Sequence, residues 1–216
     1  MLHSPKACIY NDVGDSNRTN QPFKMTFSIP NLLTFFRIAA IPIIVAVQLS
    51  DIKYGNWINA IVFTLAGISD ALDGYLARKW NQTSKLGAFL DPVADKLLVV
   101  AMLILVVTDP EVRGGVQSSW FFILAVLIII SREIIVSALR EWMAELGKRA
   151  NVAVSVVGKY KTGMQMTAIG CLLFKYSLFG LPVLLIGELL LYIAGILTIW
   201  SMIIYLSSAY SAVKDH

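Results

Sequence analysis

The sequence predicts an all-α integral membrane protein, six transmembrane helices behind a polar N-terminal segment. Three observations carry this. Of 216 residues, 57% are hydrophobic and only 15% charged, against about 45–50% and about 25% in soluble domains. Six apolar runs follow one another, each near the roughly 20 residues that one helical span requires. None alternates with the two-residue period of a barrel strand, and helices and closed barrels are the structures that cross a bilayer.

Residues 1–24 are polar, carry Asn, Asp, Ser and Pro without helical periodicity, and contain no apolar stretch before a cleavage site. They read as a flexible tail rather than a signal peptide. Residues 25–216 form the membrane domain. Its runs cover 30–49, 56–77, 86–107, 120–142, 154–174 and 181–207. Ser50-Asp51, Lys79-Trp80-Asn81-Gln82, Asp109-Pro110, Gly147-Lys148-Arg149 and Gly180-Leu181-Pro182 separate them. Asp51 and Asp109 read as solvated loop-end charges.

Lysine and arginine orient the bundle. Lys6, Arg18, Lys24 and Arg37 lie in the tail and first run. Arg78, Lys79 and Lys85 lie at the second connection, and Arg140, Lys148, Arg149, Lys159 and Lys161 around the fourth. The remaining connections carry Lys53, Arg113 and Lys175. Both termini are therefore expected in the cytoplasm of a multi-pass cell-membrane protein. Cys8 and Cys171 have no metal-ligand spacing, and His3 and His216 sit at the ends. A histidine-based zinc site or hydrolase triad is not expected.

The chemistry concentrates in Ser69-Asp70-Ala71-Leu72-Asp73-Gly74-Tyr75-Leu76-Ala77-Arg78 and Gly87-Ala88-Phe89-Leu90-Asp91-Pro92-Val93-Ala94-Asp95. Asp70 and Asp73 are three apart, Asp91 and Asp95 four apart, so each pair shares a helical face. The short connection predicts antiparallel neighbouring helices, with all four carboxylates meeting near the cytoplasmic interface. Such a cluster in lipid demands cations. Oxygen-only donors suit Mg²⁺ or Mn²⁺, and two divalent ions would neutralise four aspartates. Gly74, Ala77 and Gly87 are small enough to let a nucleotide approach the backbone; small residues also let helices pack closely in lipid.

The pattern Asp70-x2-Asp73-Gly74-x2-Ala77-Arg78-x8-Gly87-x3-Asp91-x3-Asp95 resembles the signature of the CDP-alcohol phosphotransferases at every defined position. The resemblance implies a six-helix membrane enzyme, usually a homodimer. Asp70, Asp73 and Asp91 are implied as metal ligands, and Asp95 as a ligand that is also general base for the attacking hydroxyl. Gly74, Ala77, Arg78 and Gly87 are implied at the cytidine nucleotide, with Thr83 or Ser84 at a phosphate. Asn31, Thr34 and Arg37, on one face at three-residue spacing, resemble the polar face that the family's first helix turns to the nucleotide.

A second polar set answers which alcohol is used. Arg132, Glu133 and Arg140 interrupt the fourth run, and Lys159, Lys161 and Gln165 open the fifth. Arginine and lysine beside apolar stretches suit an anionic acceptor. Ser131-Arg132-Glu133…Arg140 and Gly158-Lys159-x-Lys161-Thr162-x2-Gln165 resemble the phosphatidylglycerophosphate-forming branch of the family. That implies CDP-diacylglycerol and sn-glycerol 3-phosphate as substrates and Arg132, Arg140, Lys159 and Lys161 as the acceptor-phosphate site. Serine, inositol-phosphate and cardiolipin-type acceptors use the same aspartate core and stay open at this point. A cation- or proton-coupled transporter is the rival from another class; no second copy of the cluster suggests an inverted repeat. No nucleic-acid partner is expected.

Overall fold

The structure, a computed structural model, describes residues 29–50, 52–80, 85–145 and 156–214; for 29–31, 71, 73–80, 85–86, 88–89, 156–159, 208–209 and 211–214 it describes the backbone alone. The polar segment 1–24 and Asp51 lie outside the described residues.

The described residues are almost all helical. The elements are α1 (Ile29–Leu49), α2 (Gly55–Trp80), α3 (Lys85–Thr108), α4 (Pro110–Gly115), α5 (Ser119–Glu145), α6 (Val156–Phe174) and α7 (Val183–Lys214). Six of these are the predicted runs. The seventh, α4, is a six-residue helix. Asp109 caps it by accepting from the backbone N–H of Glu111 and Val112, and Pro110 opens it, a favourable start because proline has no donor to waste there. The last helix runs to Lys214 instead of ending at residue 207, because Ser207–Lys214 contains no proline or glycine to stop it.

Three helices, α1, α5 and α7, are long and apolar enough to cross a membrane. The other three long helices carry polar side chains: Asn56, Asn59, Asp70 and Asp73 on α2, Asp91, Asp95 and Lys96 on α3, and Lys159, Lys161 and Gln165 on α6. Large apolar side chains face outward, including Trp120, Phe121 and Leu127 on α5 and Ile196, Trp200 and Ile203 on α7. In water so broad an apolar surface would be a liability; in lipid it is the expected exterior.

The core lies between the helices. Ala40 and Ile44 of α1, Phe63 and Ala66 of α2, Leu98, Met102 and Leu103 of α3, Phe122 and Ile129 of α5, Ile169 and Leu172 of α6 and Leu191 of α7 are buried together. α3 is central, packing on α1, α5 and α6, while α7 packs along α5 and α6. The α6–α7 approach is close at Gly187, where a Cβ would stand 3.0 Å from Cys171 Cβ and from Leu172 Cγ. The turn between them reverses at Phe179 and Gly180, both with left-handed φ (51° and 80°), as a type I′ turn requires.

Among the described residues α1 packs along both α2 and α3, and its buried Thr34 and Arg37 reach the carboxylates on either side. One expectation is corrected. Asp109 is not a solvated charge. It is 5% exposed, pairs with Lys175 and accepts from Gln48, whose own carbonyl accepts from Asn59 at 2.8 Å. Lys175 also reaches Glu111 at 3.1 Å. This network ties α1, α2, α4 and the α6–α7 turn together at the end opposite the aspartates.

Candidate active site

Asp70 stands in the C-terminal half of α2, Asp91 and Asp95 in the N-terminal half of α3. Both pairs therefore sit at the same end of the bundle. Arg37 is fully buried, and its Nη1 lies 2.7 Å from Asp70 Oδ1. Thr34, one turn earlier, donates from Oγ1 to Asp91 Oδ1. These two α1 side chains, expected at the nucleotide, hold the aspartates in this structure. Gly87 is buried at the start of α3. The side chains of Asn31, Asp73, Gly74, Ala77, Arg78 and Lys159 lie outside the described residues, as do Thr83 and Ser84 entirely.

Asp95 occupies the junction between two charged groups. It lies one turn after Asp91 on α3, with Lys96 next to it in the chain. It opens onto a cavity of about 460 Å³ whose wall also carries Lys96, Arg132, Glu133, Arg140, Gln165 and Tyr205.

Helix periodicity builds that wall. Lys161 and Gln165 are four apart on α6 and share a helical face; both are buried, and Gln165 lines the cavity. Glu133 accepts from Lys161 Nζ at 2.6 Å and from Arg132 Nη1 at 3.3 Å. Arg132 Nη2 donates to Ser201 Oγ at 3.4 Å. Arg140 donates to the hydroxyl of buried Tyr205 at 2.9 Å. The Tyr205 ring lies 5.2 Å from the Arg140 guanidinium carbon and 5.8 Å from that of Arg132, so it holds both arginines by cation–π attraction. Three cations, Lys96, Arg132 and Arg140, thus line the cavity with two carboxylates, Asp95 and Glu133, and Lys161 pairs with Glu133. The excess is positive, which suits an anion.

The sequence singles out Arg132 and Arg140, which line this cavity with Asp95, and does not single out Lys96 or Tyr205. Lys96 carried the same signal as the arginines, a charge against Leu97-Leu98. Tyr205 carried none, because an aromatic residue in an apolar run reads as a lipid-facing anchor.

Residues 27–200 match the CDP-alcohol phosphatidyltransferase family over its defining domain. The chain belongs to this family. It is similar to the CDP-diacylglycerol--glycerol-3-phosphate 3-phosphatidyltransferase of Haemophilus influenzae, 50% identical over 192 residues that cover 89% of this chain and 98% of the relative. Proteins of the same name from Salmonella choleraesuis and Shigella flexneri are each 46% identical over 191 residues, covering 88% of this chain and all of the relative.

The aspartates were tested as a cation site by their donors. Among the described residues no three acidic, histidine or cysteine side chains stand close enough to hold a metal; the Asp73 side chain falls outside that set. Asp70 and Asp91 are satisfied by Arg37 and Thr34. Asp70 nevertheless keeps a half-exposed carboxylate, and Asp70, Asp91 and Asp95 offer oxygen alone. The donor chemistry fits a hard divalent ion.

Proposed function

We propose that this protein transfers the phosphatidyl group of CDP-diacylglycerol to a hydroxyl of sn-glycerol 3-phosphate, giving phosphatidylglycerophosphate and CMP in phospholipid biosynthesis. The observation that carries the reading is the shared cavity: Asp95 lines one space with Arg132 and Arg140, large enough for a small phosphorylated alcohol, and buried Lys161 pairs with Glu133 of the same wall.

The steps follow from the residues. Arg132 and Arg140 grip the acceptor phosphate, with Lys161 behind them and Lys159 contributing charge; arginine suits this because its planar fork matches phosphate oxygens. That grip aims the free hydroxyl at Asp95. Asp95 takes the hydroxyl proton as the oxygen attacks the β-phosphorus. The bond to the bridging oxygen breaks, and CMP leaves with the electron pair. Arg37 and Thr34 fix Asp70 and Asp91 across from it. Asn31, Gly74, Ala77, Arg78, Thr83, Ser84 and Gly87 complete the nucleotide side. Asp70, Asp73, Asp91 and Asp95 would hold two Mg²⁺ or Mn²⁺ ions, which when bound supply charge neutralisation for the diphosphate and the leaving group. Most of the rate enhancement is positioning and electrostatics, as in other phosphoryl transfers.

The six long helices serve as six membrane spans in a homodimer. Support comes from lengths of 19 to 32 residues and from the apolar exterior. The site end carries most of the lysine and arginine, so it faces the cytoplasm together with both termini.

The test is product identification. Purified protein is given CDP-diacylglycerol and, in parallel, glycerol 3-phosphate, serine, inositol phosphate or phosphatidylglycerol. Phosphatidylglycerophosphate as the dominant lipid supports the assignment; another phospholipid reassigns the acceptor, and no CMP release with any alcohol refutes it.

A further inference from the structure

The cavity beside Asp95 holds an unanswered hydrogen-bond acceptor. Gln165 is 3% exposed, and its side-chain oxygen is buried without a hydrogen-bond partner. On the same wall, Arg132 Nε is a buried donor that makes no hydrogen bond. A buried polar atom left unpaired is costly and uncommon. Here two of opposite sense line one space.

The occupant must therefore bring an acceptor for the arginine and a donor for the glutamine. A phosphate ester provides acceptors only. The donor has to be a hydroxyl that is not consumed in the reaction. Glutamine suits it, because its amide oxygen accepts a hydroxyl proton and, being neutral, does not repel the phosphate beside it. Lys161, one turn earlier on α6, is bonded to Glu133 at 2.6 Å.

Resting on the acceptor reading above, we infer that Gln165 is a specificity-determining residue that accepts a hydrogen bond from the second, non-reacting hydroxyl of the polyol phosphate. It thereby selects a vicinal diol phosphate over a mono-alcohol phosphate of the same length.

The experiment compares sn-glycerol 3-phosphate with 3-hydroxypropyl phosphate, which keeps the phosphate and the attacking hydroxyl but lacks the middle one. The full chain in detergent–lipid micelles is used throughout. Wild-type protein should favour glycerol 3-phosphate in kcat/KM by about tenfold or more, since a site built to pair a hydroxyl discriminates against its absence. Gln165→Met, unbranched and similar in size, should bring that ratio close to one, by losing rate on glycerol 3-phosphate while the KM for CDP-diacylglycerol stays within about twofold. Gln165→Ala serves as second variant should the first fold poorly, which a thermal melt reports. A wild-type ratio near one overturns the inference whatever the variants do. A ratio that survives in either folded variant overturns it as well. Failure of wild-type protein to use glycerol 3-phosphate at all, with another alcohol accepted, overturns the acceptor reading and this assignment together.

Discussion

Removing Arg132 should weaken the acceptor and spare the lipid donor. The guanidinium is held loosely inside the protein. Its contacts to Glu133 and Ser201 are 3.3 and 3.4 Å, longer than the roughly 2.7–2.9 Å of a strong charge-assisted bond, and its Nε has no hydrogen bond at all. Most of its bonding capacity is therefore kept for something else. A hydrogen bond to a charged partner contributes about 1.5–3 kcal/mol, or about 10- to 150-fold in affinity. Arg132→Ala should raise the apparent KM for glycerol 3-phosphate by that factor and change the KM for CDP-diacylglycerol by less than about threefold. Glu133 keeps Lys161 at 2.6 Å, so the wall is not left with an orphaned carboxylate. Arg132→Lys should fall between, keeping charge and losing the fork. The assay is initial-rate CMP release in mixed micelles, with each substrate varied at saturation of the other. Equal changes in both KM values would refute the assignment of this arginine to the acceptor phosphate.

Chelation of divalent cations should abolish turnover, and Mg²⁺ or Mn²⁺ should restore it; full activity in thoroughly chelated protein would count against a cation site at the four aspartates. Asp109→Ala should lower the melting temperature by several degrees while leaving both KM values near wild type. It removes the cap of α4, about 0.5–2 kcal/mol, and takes from buried Lys175 its more buried partner, leaving Glu111 at 3.1 Å. An unchanged melt would mean the network at that end holds nothing together.

How much the sequence discloses depends on the kind of signal. Apolar runs are long and their breaks strong, so helix positions came within a few residues. The short helix α4 is hard to see in the sequence because Asp109-Pro110 reads as an interruption of the apolar runs, although an aspartate cap followed by proline is a helix start. Asp109 itself was misjudged for the same reason: its partners, Gln48 and Lys175, are 61 and 66 residues away in the chain, and sequence spacing carries no trace of them. The aspartate pairs and the arginines were legible because a charge among apolar residues is conspicuous. That α1 joins α2 to α3, through Arg37 and Thr34, was not. Local periodicity says which side chains share a face, and only packing says which helix that face meets. Tyr205 shows the limit most plainly, since its role comes from two arginines on another helix.

The central claim concerns proton removal at the meeting place of the aspartate end and the basic cavity. Turnover of Asp95→Asn addresses it directly, because the change keeps size and hydrogen-bonding reach while taking away the base. With helicity and melting behaviour like wild type, kcat should drop at least about a hundredfold. A folded Asp95→Asn enzyme turning over near the wild-type rate would contradict the account.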